Sequence, residues 1–231
     1  MSKKFLAIIP ARGGSKRLPN KNILDFNGKP LIAYSIEAGI ESQYIDKVLV
    51  SSDSDRIIAT SKEFAAETVK RPESLATDTA TTFDVIEHAI QSLPDRYEYT
   101  ILLQPTSPLR TTNHIDEAIK LLEKKKADAV ISVCKMEHSP LWANRLDENL
   151  SMEKFFRDDL YKKRSQELDI YYRLNGAIYI ARTDRLLEER CFFLKDNIFA
   201  YIMDKRSSID IDEKIDFDIA AIFQRALNEK V

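Results

Sequence analysis

The stretch IIPARGGSKRLPNKN, residues 8–22, runs an apolar segment into the chain's only Gly-Gly pair and surrounds that pair with cations. Together with Phe5, Leu6 and Ala7, the two isoleucines read as a short buried strand, because no helical spacing fits so brief an apolar run. The strand then opens into Gly13, Gly14 and Ser15, with Arg12, Lys16, Arg17 and Lys21 around them. Glycine is scarce elsewhere. The chain has five, at 13, 14, 28, 39 and 176, whereas ordinary usage of about 7% would give roughly three times as many. A residue used so sparingly marks backbone that admits no side chain. A strand ending in a cationic glycine turn is how an α/β sheet presents an anion site at a strand's carboxyl end.

Outward from this stretch, the pattern repeats. KVLVSS (47–52), TILLQP (100–105), AVISVCK (129–135) and GAIYIAR (176–182) read as buried strands, and the chain returns through IFAYIMD (198–204) towards its last helix. Segments 30–42, 55–67, 81–93 and 113–126 carry helical spacing, and a last helix is expected over about 213–228. Pro30 suits a first helical turn, and Asp78 with Thr79 are expected to open the helix at 81. Alternating strands and helices predict an α/β fold: a mainly parallel sheet flanked by helices, in one domain over 1–231. Residues 138–172 break the rhythm and carry the only Trp, several aromatics and many charges. An unstructured loop of that length is uncommon in a compact domain, so the segment reads as an arm that leaves the sheet.

The composition excludes several classes. With 35 basic and 37 acidic residues the net charge is −2, so no global field draws nucleic acid or an anionic membrane. No run approaches a membrane span, and MSKKFLAIIPA is too quickly interrupted by Arg12 for a secretory signal. Cys134 and Cys191 lie far apart without metal spacing, so a reduced, cytoplasmic setting is expected. His88, His114 and His138 are scattered and suggest neither zinc nor a triad.

The opening loop matches neither the Walker A spacing nor G-x-G-x-x-G. It is left with a turn whose backbone amides could form an anion nest between flanking cations. In LLQPTSPLR (102–110), Gln104 leaves a strand's end beside Thr106 and Ser107 on a proline-stiffened turn, which suits a ligand rich in hydroxyls. In SSIDIDEKIDFDIA (207–220), Asp210 and Asp212 alternate with isoleucines, so in extended chain both carboxylates face one way. That pair suits Mg²⁺, a hard cation that keeps water and phosphate oxygens. Asp216 and Asp218 are expected to serve the first turn of the last helix.

These motifs, in this order, resemble the N-acylneuraminate cytidylyltransferases, the family that makes CMP-activated sialic acids. The resemblance rests on AIIPARGGSKRLPNKN with GKPLIAYSI, on KRPESLATDTATTFDV (70–85), LLQPTSPLR, YRLNGAIYIAR (172–182) and the D-I-D at 210–212. It implies a Rossmann-like nucleotidyltransferase fold with a small dimerisation arm. It also implies a CTP site on Ala11, Arg12, Gly13, Gly14, Ser15, Lys21 and Asn22, with Arg71, Ala80 and Thr82 around the cytosine. Arg12 and Lys21 would counter phosphate charge, and these two with Asp210 and Asp212 would form the catalytic set. A nine-carbon keto-acid sugar would meet Gln104, Arg173, Asn175, Tyr179, Phe192 and Phe193. An arm cation, Arg164 or one of Lys162 and Lys163, would reach its carboxylate in the partner of a homodimer. Trp142 stands where neuraminate-specific members often carry lysine, which favours a less hydroxylated sugar of the legionaminic type. The alternatives are activation of Kdo or pseudaminic acid and, in a different class, a non-catalytic nucleotide sensor.

Overall fold

The computed structural model describes residues 3–77, 79–153, 155 and 163–228. Nine strands and six helices follow one another: β1 (Phe5–Pro10), β2 (Asp25–Phe26), β3 (Lys29–Pro30), α1 (Leu31–Ile40), β4 (Ile45–Ser52), α2 (Asp55–Glu63), β5 (Glu67–Lys70), α3 (Thr82–Gln91), β6 (Tyr99–Leu102), α4 (Thr112–Lys125), β7 (Ala129–Lys135), β8 (Tyr172–Arg182), α5 (Thr183–Glu189), β9 (Ile198–Met203) and α6 (Lys214–Asn228). Seven strands form one sheet in the order β5-β4-β1-β6-β8-β7-β9, while β2 and β3 pair as a small antiparallel ladder. Six strands run parallel and β8 runs against both neighbours, β6 and β7. No helix among the described residues is long and apolar enough to cross a membrane.

Strand alternation sorts the core into two layers. Phe5, Ala7 and Ile9 face Ile32, Ile36, Ile115 and Ile119 of α1 and α4. Leu6 and Ile8 point the other way, onto Phe83 and Ile86 of α3 and Leu186 of α5. A third cluster, with Leu18, Phe26, Leu31, Leu109, Ile211 and Ala220, packs α6 and the β2–β3 ladder against the loop that follows β1.

Strand order reverses at β1, since the chain moves outward to β4 and β5 and then returns to β6. Open α/β sheets bind ligands in the crevice outside such a switch point. Here that crevice lies between the loop after β1 and the turn after β6.

The structure departs from expectation in several places. β8 begins at Tyr172, so Arg173 and Asn175 lie within the strand and not before it. β5 was not expected; it is a short edge strand with little apolar content. Helix α3 is capped by Thr81, whose hydroxyl accepts from Asp84 N (3.2 Å) while the Asp84 carboxylate accepts from Thr81 N (3.1 Å). That capping box replaces the expected start at Thr79, and Asp78 lies outside the described residues. The excursion between β7 and β8 spans 136–171, and its described parts hold only two short 3₁₀ turns, Pro140–Trp142 and Ser165–Glu167.

Candidate active site

A cavity of about 550 Å³ fills the switch-point crevice. Arg12, Ser15, Lys16, Arg17, Lys21 and Asn22 line it from the first loop, with Arg71, Ala80 and Thr82 at one end. Gln104, Thr106 and Asp212 line it elsewhere. The fold thus brings together nine of the expected site residues from five separate stretches of chain.

The first loop is held by backbone bonds and one carboxylate. Ala11 N donates to the Ser51 carbonyl (2.9 Å), which continues the β1–β4 pairing one residue past the strand. Gly13 N then donates to Asp53 Oδ1 (3.1 Å), and a Cβ on Gly13 would stand 3.0 Å from Ser54 Cβ, so the loop lies directly on the end of β4. Ser15 N turns back to the Gly13 carbonyl (3.1 Å). Two amides of the expected nest are therefore engaged within the protein. Ala11, Gly13 and Gly14 are absent from the cavity wall, so the loop offers an anion mainly its side chains.

Asn22 is only 4% exposed. Its Nδ2 donates to the Arg12 carbonyl (3.0 Å), while its buried Oδ1 has no partner. Arg71 is 5% exposed, with Nη2 3.4 Å from Asp53 Oδ1 and Nε unpartnered. Burial pushes its guanidinium pKa down, and Asp53 opposes that shift. Asp53 therefore links the glycine loop to the expected base-end arginine. Sequence reasoning missed it because both contacts join distant segments.

Lys21 donates to the Ile211 carbonyl and stands 3.8 Å from Asp212 Oδ1, while Arg17 Nη1 lies 3.1 Å from Asp212 Oδ2. Burial lowers the Lys21 pKa, and the Asp212 and Asp210 charges oppose it. Asp210 sits deeper. Burial raises its carboxyl pKa first of all, and its Oδ1 has no partner. The segment carrying both aspartates is pinned by Ile211 N, which donates to the Thr106 carbonyl (2.8 Å). Asp216 caps α6, accepting from Asp212 N (3.0 Å) and Glu213 N (2.8 Å). Among the described residues no three His, Cys, Asp or Glu are grouped to hold a metal.

The expected sugar residues divide. Gly176, at φ +74°, brings β8 so close that a Cβ there would stand 3.0 Å from Gln104 Oε1 and 3.5 Å from Asp210 Oδ2. Tyr179 adjoins this cluster: burial, and then the Asp210 charge, raise its phenol pKa. Its ring meets Phe192 and Phe193 at 5.9 and 6.1 Å between centroids. Phe192 is core and Phe193 is exposed. Asn175 is 2% exposed, and both ends of its amide bond within the protein, to Ser132, Ala177 and Ser208. Arg173 likewise donates to the carbonyls of Leu174 (3.3 Å) and Ser208 (3.4 Å). Arg164 is exposed and outside this cavity, and Lys162 lies outside the described residues. Trp142 lines a second cavity, of about 640 Å³, with Lys135, His138 and Ile170.

A switch-point crevice that gathers five cations and the Asp212 carboxylate around a volume fit for a small ligand gives this α/β fold a site with the charge to hold an anion. The chain belongs to the cytidylyltransferase family, whose model matches residues 6–225. It is 42% identical over 231 residues to the N-acylneuraminate cytidylyltransferase of Escherichia coli O18:K1:H7, covering 100% of this chain and 54% of that protein. It is 34% identical to the pseudaminic acid cytidylyltransferase of Campylobacter jejuni, over 98% of each chain. It is also 36% identical to the CMP-N,N'-diacetyllegionaminic acid synthase of Legionella pneumophila, over 93% of each. The chain spans about half the length of the N-acylneuraminate relatives it matches. In fold it is similar to CMP:2-keto-3-deoxy-manno-octonic acid synthetase complexed with CTP, with a TM-score of 0.74, 17% identity and coverage of 99% of this chain and 100% of that one.

Proposed function

We propose that this chain activates a nonulosonic acid with CTP, giving the CMP-sugar and pyrophosphate. The observation that carries the reading is the continuity of one cavity from the Arg71, Ala80 and Thr82 end, past Arg12 and Lys21, to Gln104 and Asp212. A nucleotide laid along it would put its base at the first end and its phosphates against the cations. The sugar would enter over Gln104, its anomeric hydroxyl attacking the α-phosphate as pyrophosphate leaves. Work of this kind is mostly positioning and charge stabilisation. Arg12 and Lys21 would neutralise phosphate oxygens, and Asn22 Oδ1, buried without a partner, would accept from the nucleoside.

The aspartates fit Mg²⁺. Asp210 presents a buried oxygen without a partner, and Asp212 presents an exposed carboxylate at the cavity wall. This ion takes few protein ligands and keeps water and phosphate oxygens. When bound, Mg²⁺ supplies charge neutralisation for the triphosphate. Lys21 Nζ, drawn to both carboxylates, would hold that end of the site together.

For the segment 136–171 we favour a role between two copies of the chain. Leu146, Leu150, Met152 and Ile170 are all exposed, a pattern that marks association surfaces. Arg164 and Trp142 lie away from this chain's own cavity and would act in the partner's.

Pyrophosphate release from CTP and Mg²⁺ with N-acetylneuraminic, legionaminic or pseudaminic acid tests the reading. Turnover of at least one is expected, and turnover of none overturns it. A clear preference for N-acetylneuraminic acid would reject selection by Trp142. Sedimentation should show a dimer.

A further inference from the structure

Arg110 heads the fully buried side chains of the described residues, at 2% exposure, and no described carboxylate pairs with it. Burial alone brings its pKa down to about 9. Nη1 donates to the carbonyls of Gln104 (3.3 Å) and Ala177 (3.4 Å), while Nε and Nη2 have no partner. Such a residue is a poor choice for stability. A buried unpaired charge is costly, and an apolar side chain of similar volume fills the same space without that cost.

The two carbonyls explain its place. Gln104 belongs to the turn that leaves β6, and Ala177 follows Gly176 on β8, so the guanidinium ties that turn to the neighbouring strand. The Gln104 carbonyl also accepts from Ser35 Oγ (3.2 Å) and Ser107 N (3.3 Å), which makes it the fixed point of the turn. From that turn, the Gln104 amide reaches Gly176 and the Thr106 carbonyl anchors Ile211 between the two aspartates.

We propose that Arg110 is a positioning residue for the sugar half of the site, stapling the 104–110 turn to β8 and so setting where Gln104 and Asp210 converge on Gly176. The inference rests on the function proposed above. The base end hangs on Asp53 and the first loop, none of which touches Arg110, so the two substrates should respond differently.

The test compares wild type, Arg110→Lys and Arg110→Met, using whichever of the three nonulosonic acids the wild type turns over fastest. For Arg110→Met, the sugar KM should rise about tenfold, the scale of a modest misplacement, while the CTP KM stays within about twofold. Arg110→Lys, which can still donate to one carbonyl, should recover part of the loss. KM reports only the active molecules, so a partly unfolded preparation lowers apparent kcat without imitating this split. Should Arg110→Met not fold, Arg110→Lys carries the test alone through a raised sugar KM. An unshifted sugar KM, or equal shifts for both substrates, overturns the inference. A wild type inactive with all three acids overturns the functional reading and this inference with it, whereas active wild type with unshifted variants overturns this inference alone.

Discussion

The side-chain nitrogen of Asn175 lies 2.9 Å from the Ser208 hydroxyl, two residues ahead of Asp210. Ser208 passes the link on, its hydroxyl donating to the Asp204 carbonyl at 2.6 Å. On the other end of the amide, Oδ1 accepts from the Ser132 hydroxyl (2.6 Å) and from Ala177 N (3.2 Å). One buried amide thus joins β7, the bend at Gly176 and the loop that delivers the aspartates. With Arg173 on the Ser208 carbonyl, the R-x-N pair of β8 is tied to the segment that leads to the aspartates.

Replacing Asn175 with Ala should therefore behave as a loss of support. It leaves Ala177 N without its partner, while Ser132 and Ser208 each lose one bond but keep Ile178 and Asp204, so a loss of about 1–3 kcal/mol is expected. Urea unfolding measures that loss, and kinetics should show kcat falling more than the sugar KM rises. A raised sugar KM at unchanged stability would instead make Asn175 a sugar ligand.

How far these roles were legible in sequence depends on the range of the contacts involved. The strands β1, β4, β6 and β7 announce themselves as β-branched buried runs, whereas β9 is a half-exposed edge strand, and the cations of the first loop follow directly in sequence. The antiparallel direction of β8 does not, because pairing with β6 and β7 is a tertiary choice. Asp53 and Arg110 were invisible for the same reason, since their partners lie 40 and 67 residues away. Thr81 was readable: T-x-x-D ahead of an apolar run is a capping signal.

Asp53→Asn should raise the KM for CTP about tenfold while leaving the sugar KM nearly unchanged, because a buried arginine that loses its Asp53 carboxylate is expected to shift or recruit water. The glycine loop would loosen with it through Gly13. Steady-state kinetics with each substrate varied in turn separates the two, and an unchanged CTP KM would deny Asp53 this bridging role.

Gly176→Ala should cost about 1–2 kcal/mol from the positive φ alone. The added methyl would also press on Gln104 Oε1, so the sugar KM should rise while the CTP KM holds. Thermal unfolding and the two KM values check both parts. A variant that binds sugar normally would show that Gln104 has room to move.

Acid should weaken the fold through pairs such as Arg182 and Asp184, where the Arg182 hydrogen bond holds the carboxyl below its usual range. That contribution is full above the unfolded value of about 3.9 and is lost as pH falls below it. Because the pair is exposed, Asp184→Asn should cost at most about 1 kcal/mol at pH 7. Melting curves at pH 7 and pH 3 should show the difference between variant and wild type shrinking at the lower pH.

Asp210 and Asp212 should fail differently, since one is buried with an unpartnered oxygen and the other sits in an exposed pair with Arg17. Asp212→Ala removes a surface pair contributing about 0–1 kcal/mol, so its stability should hardly move while turnover falls at least about a hundredfold. Asp210→Asn should lose turnover as severely, yet it removes a carboxylate that burial disfavours and should melt no earlier than wild type. Turnover against Mg²⁺ concentration and differential scanning calorimetry give both readouts, and a chelator should silence the wild type. Normal Mg²⁺-dependent turnover in either variant would remove that aspartate from the metal set, and the phosphates would then rest on Arg12 and Lys21.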